Sequence, residues 1–311
     1  MSNSGSPLAE PGVYPIAIEA GDHKMMLLKI LILAIVQGAA ELLPVSSSAH
    51  VIVAEKLMGL DPVSPEMTLL LVMLHTGTMF AVIVYFWRAW KVNYFRSSEV
   101  FISFAKLVAV ATAFTGVVGL LLKSLIEKVV FRNVPHAEVE LLFGNMTLIA
   151  VSLFTVGLFI IYAGVKGSRS SNRSKLSFKE SSWIGAIQGL CLPFRGFSRS
   201  GATISMGLTL GIGKVRVEEF SFALAVVLTP PVIAREVLRL LHAQSASLSQ
   251  TSPLLTLFYP SFLGMVFSFI SGILALRWLS RWLERGLWHV FGYYCLAASI
   301  CVFLLHSMIG I

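Results

Sequence analysis

Long apolar stretches dominate this chain of 311 residues and restrict the folds open to it. A helix that crosses a membrane needs about 20 consecutive apolar residues. Hydrophobic residues make up 56% of the chain and charged residues only 13%, roughly half the charged share of soluble domains. We therefore predict an all-α integral membrane protein with about six transmembrane helices. The stretches long enough to span are Met67–Trp87, Phe101–Leu122, Leu141–Val165, Phe220–Leu240, Leu255–Leu276 and Trp288–Ile309.

Two further apolar regions are broken by polar residues. Met25–Met58 is interrupted by Pro44 and a run of serines, and Trp183–Ile212 is interrupted by Pro193 and two arginines. Irregular backbone at membrane depth is tolerated only where it is buried in protein or lines a wet cavity. Each region is therefore predicted to form a re-entrant helix pair, in addition to the spanning helices.

Basic residues fall mainly on one side of this arrangement. Lys and Arg are concentrated after Trp87 and in residues 166–179, whereas His242–Pro253 contains neither. Because cytoplasmic loops are enriched in Lys and Arg, this basic side is predicted to be cytoplasmic, with both termini outside. The same loops explain the formal net charge of +8, and no basic stripe with interleaved aromatic residues indicates a nucleic-acid partner.

The two interrupted regions indicate an inverted-topology repeat. Each contains a polar segment that begins with Gln-Gly, at Gln37 or Gln188, passes through a proline and ends in a serine-rich turn. On the predicted topology they open to opposite sides of the membrane, which is typical of inverted repeats that share a site near the midplane. The predicted organisation is a flexible polar tail at residues 1–24 and one transmembrane domain at 25–311, with repeats at about 25–165 and about 181–311.

The first polar segment combines a carboxylate, a serine turn and an imidazole. The serines after Pro44 are expected to begin a helix, whose N-terminal amides suit a phosphate. Ser47 and His50 can share one helical face, the minimal arrangement of nucleophile and base, and Glu41 could orient the imidazole or hold a divalent cation. The predicted catalytic residues are Glu41, Ser47 and His50, and the predicted substrate-binding residues are Gln37, Ser46 and Ser48.

The second polar segment supplies permanent positive charge. The forked guanidinium of Arg199 matches phosphate oxygens, and a charge at the bilayer centre costs about 2.5–3.5 kcal/mol on insertion scales. Such an arginine is difficult to justify without an anion, so Arg199 is also predicted to be catalytic. The other predicted substrate-binding residues are Arg195, Ser198, Ser200, Gly201 and Thr203. The two segments together, with apolar walls, suit a ligand with a phosphate head and a long lipid tail.

These segments resemble the signatures of a known family. Glu-x-x-Pro-x-Ser-Ser-x-x-His at Glu41 to His50, and Gly-Phe-Ser-Arg-Ser-Gly-Ala-Thr at Gly196 to Thr203, are similar to those of the undecaprenyl-pyrophosphate phosphatase family, also called bacitracin-resistance protein BacA. The resemblance implies a multi-pass phosphatase of the bacterial cytoplasmic membrane. Its substrate would be a C55 polyprenyl diphosphate, hydrolysed to the monophosphate carrier that is reused for peptidoglycan and other envelope polymers.

The resemblance also implies partners and a cofactor. Divalent cations, Mg²⁺ or Ca²⁺, would support activity, with Glu41 as the candidate metal ligand. However, many family members carry Glu where this chain has Gln37, which weakens a site built from two carboxylates. Bacitracin would compete indirectly by binding the substrate, and a homodimer is a further expectation.

Two mechanisms and one different function remain open on the sequence. Ser47 attacks the terminal phosphorus while His50, oriented by Glu41, takes its proton; alternatively His50 is itself the nucleophile. The same anion site would also serve a polyprenyl-phosphate transporter or flippase that does not hydrolyse its ligand. His75, within the first predicted span, is expected to be a buried structural residue hydrogen-bonded to a neighbouring helix.

Overall fold

Helices form nearly all the regular structure that the computed structural model describes, which covers residues 20–60, 65–129, 131–132, 139–167, 173, 175–246 and 254–309. A short 3-10 helix at Val139–Leu142 and one isolated bridge between Arg173 and Ile212 are the other elements there. The predicted all-α class is confirmed. The helices are α1 (Ala20–Leu42), α2 (Ser47–Leu57), α3 (Pro65–Asn93), α4 (Ser98–Val129), α5 (Met146–Gly167), α6 (Phe178–Cys191), α7 (Arg199–Thr209), α8 (Lys214–Ala246), α9 (Leu254–Glu284) and α10 (Trp288–Ile309).

Seven helices in the described part of the chain are long and apolar enough to cross a membrane. Six of them, α3, α4, α5, α8, α9 and α10, correspond to the predicted spans. The seventh is α1, whose candidate span is Met25–Leu42. The first interrupted region forms a pair of helices whose first member, with 23 residues, is longer than a half-helix and whose second, α2, has 11 residues. The second region forms two short helices of 14 and 11 residues, as expected.

The predicted polar tail also ends earlier than expected. Residues 1–19 lie outside the described residues, but Ala20 already begins α1, so residues 20–24 belong to a helix.

Helix contacts relate the two halves of the chain. The first helix of the first half, α1, packs on α9, and the first helix of the second half, α6, packs on α4. In addition α3 packs on α8, and α5 packs on α10. If the chain is counted as two sets of five helices, the α1–α9 and α6–α4 contacts are equivalent to each other, and the α3–α8 and α5–α10 contacts each join two equivalent helices. This pattern agrees with an inverted repeat. The repeat boundaries themselves stay a prediction.

Glycine in the two Gln-Gly pairs allows two of these contacts to be close. A Cβ atom at Gly38 would lie 2.5 Å from the Ser268 carbonyl oxygen on α9, and one at Gly189 would lie 2.7 Å from the Thr115 carbonyl oxygen on α4. Small residues are the usual means by which membrane helices approach closely. The last turns of α1 and α6, which lead into the polar segments, are therefore held firmly.

The start of α6 is fixed by a capping box. The Ser177 amide donates to Glu180 Oε2 at 2.8 Å, and the Ser177 hydroxyl donates to the same oxygen. Arg173 also lies 3.5 Å from Glu180 Oε1. The Ser177 hydroxyl bond is the main reason why the pKa of Glu180 lies below its usual value. This cap sets the direction in which α6 approaches the second polar segment.

Candidate active site

The two polar segments meet where α1 ends and where α2 and α7 begin. The Ser200 hydroxyl donates to the Leu43 carbonyl at 3.2 Å, and the Gly196 amide lies 3.4 Å from Ser48 Oγ. Both contacts join residues about 150 positions apart along the chain. The turn between α1 and α2 therefore rests directly on the turn between α6 and α7.

Glu41 lies at the centre of the cluster formed there. Its Oε2 atom accepts a hydrogen bond of 2.6 Å from Ser47 Oγ, and its Oε1 atom accepts one of 3.0 Å from Arg199 Nη2. The side chains of Glu41 and Arg199 are largely buried, with exposed fractions of 18% and 21%. A carboxylate bonded to a hydroxyl is positioned to remove its proton, and the arginine fixes the carboxylate's orientation.

Ser47 is therefore paired differently from the sequence expectation. The sequence predicted His50 as its base, but the structure pairs Ser47 with Glu41, six residues earlier. Both ring nitrogens of His50 bond elsewhere: Nδ1 lies 2.8 Å from the Ser46 carbonyl oxygen, and Nε2 lies 2.6 Å from the Tyr294 hydroxyl. The expected role of Glu41 in orienting His50 is likewise replaced by direct contact with Ser47.

Arg199 keeps one donor group free for a ligand. Its Nη1 atom is buried and has no hydrogen-bond partner, although Nη2 is paired with Glu41. A buried charged donor without a partner is costly, so an anion at this position would be strongly favoured. A small cleft opens beside Glu41 and Arg199, and α3 and α8 form its walls. Those wall residues are Thr78, Met79, Val82, Ala225, Val226 and Thr229.

Gln37 and His75 extend the cluster on the side away from Arg199. The Gln37 amide nitrogen lies 3.2 Å from Glu41 Oε2 and 3.1 Å from His75 Nδ1. His75 Nδ1 is itself 3.9 Å from Glu41 Oε2. The expected hydrogen bond of His75 to a neighbouring helix is present, because Gln37 lies on α1, and it places His75 beside the central carboxylate.

Ser46 has an unusual backbone conformation at the start of α2. With φ at +68° it is the one non-glycine residue of positive φ in the described part of the chain. Its side chain does not cap the helix; instead Ser46 Oγ lies 3.3 Å from Ser48 Oγ. Such a conformation costs of order 1–3 kcal/mol and persists where the surroundings impose it, often at functional sites. Here it turns the chain so that Ser47 faces Glu41.

The predicted hydroxyls of the second segment mostly stabilise the turn around Arg199. Ser198 Oγ accepts a bond of 3.2 Å from the Gly201 amide and so caps α7. Thr203 Oγ1 donates to the Arg199 carbonyl at 2.8 Å and lies 2.6 Å from Ser221 Oγ. Together with Ser200, which bonds to Leu43, these residues hold the polar segments rather than presenting free hydroxyls to a ligand.

Arg195 occupies a different position from Arg199. Its side chain is exposed, and its guanidinium carbon lies 4.3 Å from the centroid of the Phe143 ring. The next residue, Gly196, has φ of +94°, and a Cβ atom there would lie 2.5 Å from the Ile149 carbonyl oxygen. Glycine is therefore required for the turn that separates the two arginines.

The donor atoms of the cluster do not fit a divalent cation held by protein alone. Mg²⁺ and Ca²⁺ prefer carboxylate and carbonyl oxygens. Glu41 supplies the cluster's carboxylate, and its oxygens already accept bonds from Arg199, Ser47 and Gln37. Within the described ranges no three His, Cys, Asp or Glu side chains are grouped so as to bind a metal ion. Glu41, the predicted metal ligand, is thus neutralised by an arginine instead.

Sequence reasoning missed Tyr294 and underestimated His75. Tyr294 lies on α10, 244 residues after His50, and no local motif marks it. His75 carried a weak signal, because an ionisable residue inside an apolar span is a functional candidate by default.

Comparisons with known proteins agree with the motifs. Residues 30–301 match the sequence profile of the family described as bacitracin resistance protein BacA. The chain is 59% identical to undecaprenyl-diphosphatase 2 of Acinetobacter baylyi, over 89% of this chain and 97% of that protein. It is 32% identical to undecaprenyl-diphosphatase 2 of Burkholderia thailandensis (91% and 99% covered) and 30% identical to undecaprenyl-diphosphatase of Methanobrevibacter smithii (90% and 98% covered).

The profile covers most of the chain, including both polar segments, and the relatives are matched along nearly their whole length. The resemblance inferred from the motifs is therefore confirmed, and the protein is a member of the bacitracin resistance protein BacA family.

Proposed function

We propose that this protein is a membrane phosphatase that hydrolyses undecaprenyl diphosphate to undecaprenyl phosphate and inorganic phosphate. Three relatives that align along almost their entire length are named undecaprenyl-diphosphatases. The single observation that carries the proposal is the 2.6 Å bond from Ser47 Oγ to Glu41 Oε2, beside a buried arginine nitrogen without a partner. Binding alone needs no such nucleophile and base, so the geometry favours hydrolysis over transport.

In the first step Ser47 Oγ attacks the terminal phosphorus. Its proton passes to Glu41 Oε2, an Oγ–P bond forms, and the bridging P–O bond breaks with its electron pair leaving on undecaprenyl phosphate. Arg199 Nη1 and the first-turn amides of α2 stabilise the charge on the phosphoryl oxygens. Because His50 is hydrogen-bonded away from this group, the geometry supports Ser47 over His50 as the nucleophile.

In the second step water attacks the phosphorus of the phosphoserine. The Oγ–P bond breaks, and Glu41 returns its proton to Ser47 Oγ. His50 lies one turn further along α2, on the same face as Ser47, and accepts the proton of the attacking water. His50 then gives this proton to the leaving phosphate or to bulk water, inorganic phosphate departs, and the site returns to its starting state.

The lipid carrier product would be reused for peptidoglycan and other envelope polymers. We place the protein in the bacterial cytoplasmic membrane with both termini outside, from the distribution of Lys and Arg, with α1 and α2 entering and leaving the membrane on the outer side as one helix pair. Bacitracin would then act by sequestering the diphosphate substrate, and a homodimer is a further expectation. Since the described donors around Glu41 do not form a cation site, a requirement for Mg²⁺ or Ca²⁺ would reflect cation carried by the substrate diphosphate.

Phosphate release by the purified protein in detergent tests this proposal. Wild-type protein should release inorganic phosphate from undecaprenyl diphosphate, whereas Ser47→Ala and Arg199→Gln should lose most of the activity. Matched controls are Ser182→Ala and Arg277→Gln, because both side chains lie outside the cluster: Ser182 is half-buried and bonds to the Phe178 carbonyl of its own helix, and Arg277 is exposed. Lipid binding without phosphate release by the wild type would instead support the transporter alternative.

A further inference from the structure

Tyr294, on α10, bonds to an ionisable residue of the first polar segment. Its hydroxyl lies 2.6 Å from His50 Nε2, and the two rings are nearly parallel, with centroids 5.7 Å apart. The adjacent Cys295 thiol donates to the Pro44 carbonyl at 3.2 Å, so this turn of α10 contacts the segment at two points. Tyr294 itself is about half exposed (48%).

The partners of His50 determine which of its nitrogens is the base. A carbonyl oxygen only accepts hydrogen bonds, so the 2.8 Å contact with the Ser46 carbonyl places a proton on Nδ1. In the neutral imidazole the lone pair is then on Nε2, and Tyr294 must donate to it. The strained backbone of Ser46 and the tyrosine therefore select one tautomer together.

This arrangement places the Tyr294 hydroxyl on the only basic nitrogen of His50. A proton that reaches Nε2 must either displace this hydroxyl or pass through it. A phenol can donate to a neutral imidazole and accept from an imidazolium, so the same contact serves both protonation states. Bonds to the charged form are the stronger ones, which means that the pair is also stabilised after proton transfer.

We propose that Tyr294 is a proton-relay residue that connects His50 to the water of the second step. As water attacks the phosphoserine, it gives a proton to the Tyr294 oxygen while the Tyr294 hydroxyl proton moves to His50 Nε2. The tyrosine is unchanged overall, and His50 becomes an imidazolium. The water of the second step reaches the Tyr294 hydroxyl from the polar segments, because the hydroxyl bonds there to His50, which lies three residues after Ser47 on α2. This inference rests on the proposed phosphatase function.

Tyr294→Phe is the direct test, because it removes the hydroxyl and keeps the ring that stacks on His50. We expect kcat for phosphate release to fall about tenfold with KM within about twofold, since water can partly replace the hydroxyl. In rapid-quench experiments phosphoenzyme should accumulate in this variant, because only the second step is slowed. Tyr293→Phe is the matched control: its ring contacts His289, and its activity should remain within about twofold of wild type.

A double-mutant cycle separates the relay from a structural role. If Tyr294 acts through His50, then adding Tyr294→Phe to His50→Ala should change kcat by less than about twofold. Equal losses in both backgrounds, or an unchanged kcat in Tyr294→Phe alone, would overturn the proposal. Thermal unfolding midpoints of all variants show whether a loss of activity reflects a loss of folded protein. Absence of phosphate release by the wild type would instead refute the phosphatase function, and the relay with it.

Discussion

Ser47 and Glu41 are joined by a 2.6 Å hydrogen bond between the first turn of α2 and the last turn of α1. The bond links the proposed nucleophile to a carboxylate whose other oxygen is bound by Arg199 from the second half of the chain. The two halves thus supply one site, with the nucleophile and base from one half and the phosphate-binding cation from the other. Loss of either half-site should therefore abolish the reaction.

Replacing Glu41 by Gln should remove the base and leave the size of the side chain unchanged. General-base catalysis typically contributes 10²–10⁴-fold, so kcat should fall by about that factor, with a smaller change in KM. Steady-state phosphate release measures both parameters. Glu99→Gln is the matched control, because Glu99 is exposed in the first turn of α4. A Glu41→Gln variant with near-normal kcat would show that His50 or another group takes the proton of Ser47.

Replacing Gln37 by Glu should make the enzyme depend on a divalent cation. The new carboxylate would lie where the Gln37 amide nitrogen now lies 3.2 Å from Glu41 Oε2. Two like charges about 4 Å apart repel by about 4 kcal/mol near a protein surface, and a cation between them relieves this. Phosphate release in EDTA should be at least about tenfold lower than in Mg²⁺ for the variant, a larger ratio than for wild type. Equal ratios for the two proteins would contradict this account of the site.

Replacing Gly196 by Ala should destabilise the turn that carries Arg195 into α7. Gly196 has φ of +94°, and the added Cβ would lie 2.5 Å from a backbone oxygen of Ile149. The expected cost is about 1–3 kcal/mol, seen as a lower thermal unfolding midpoint in detergent. Gly116→Ala is the control, because a Cβ there meets nothing within 4 Å and α4 should gain up to about 1 kcal/mol. Equal unfolding midpoints for the two variants would show that the turn at Gly196 tolerates a Cβ atom.

The sequence predicts those parts of the fold that depend on length and polarity alone. The apolar stretches of spanning length form α3, α4, α5, α8, α9 and α10. In lipid the backbone has no water to bond to, and a helix satisfies its backbone hydrogen bonds within the segment itself. The same reasoning identified Glu41 and Arg199, since each is an ionisable residue that an apolar surrounding penalises. The structure places the two in contact at 3.0 Å.

The pairing of side chains within the site was not predictable in the same way. Helical spacing favours Ser47 with His50, but the turn at Ser46 directs Ser47 toward Glu41 instead, and a positive φ at a serine has no sequence signature. Tyr294 contacts His50 although the two residues are 244 positions apart in the chain, so the contact depends on how α10 packs. Both outcomes depend on tertiary contacts, which local patterns do not encode.

Replacing Ser46 by glycine should destabilise the protein less than replacing it by alanine, contrary to the usual order of stability in helical segments. At φ of +68° a Cβ atom is strained, and glycine adopts this conformation freely, so Ser46→Gly should be more stable than Ser46→Ala by about 1–2 kcal/mol. At Ser182, inside α6, alanine should instead be more stable than glycine by about 1 kcal/mol. Thermal unfolding midpoints of the four variants in one detergent measure both differences. The same order at both positions would mean that the turn before Ser47 is not strained, and that another contact holds Ser47 against Glu41.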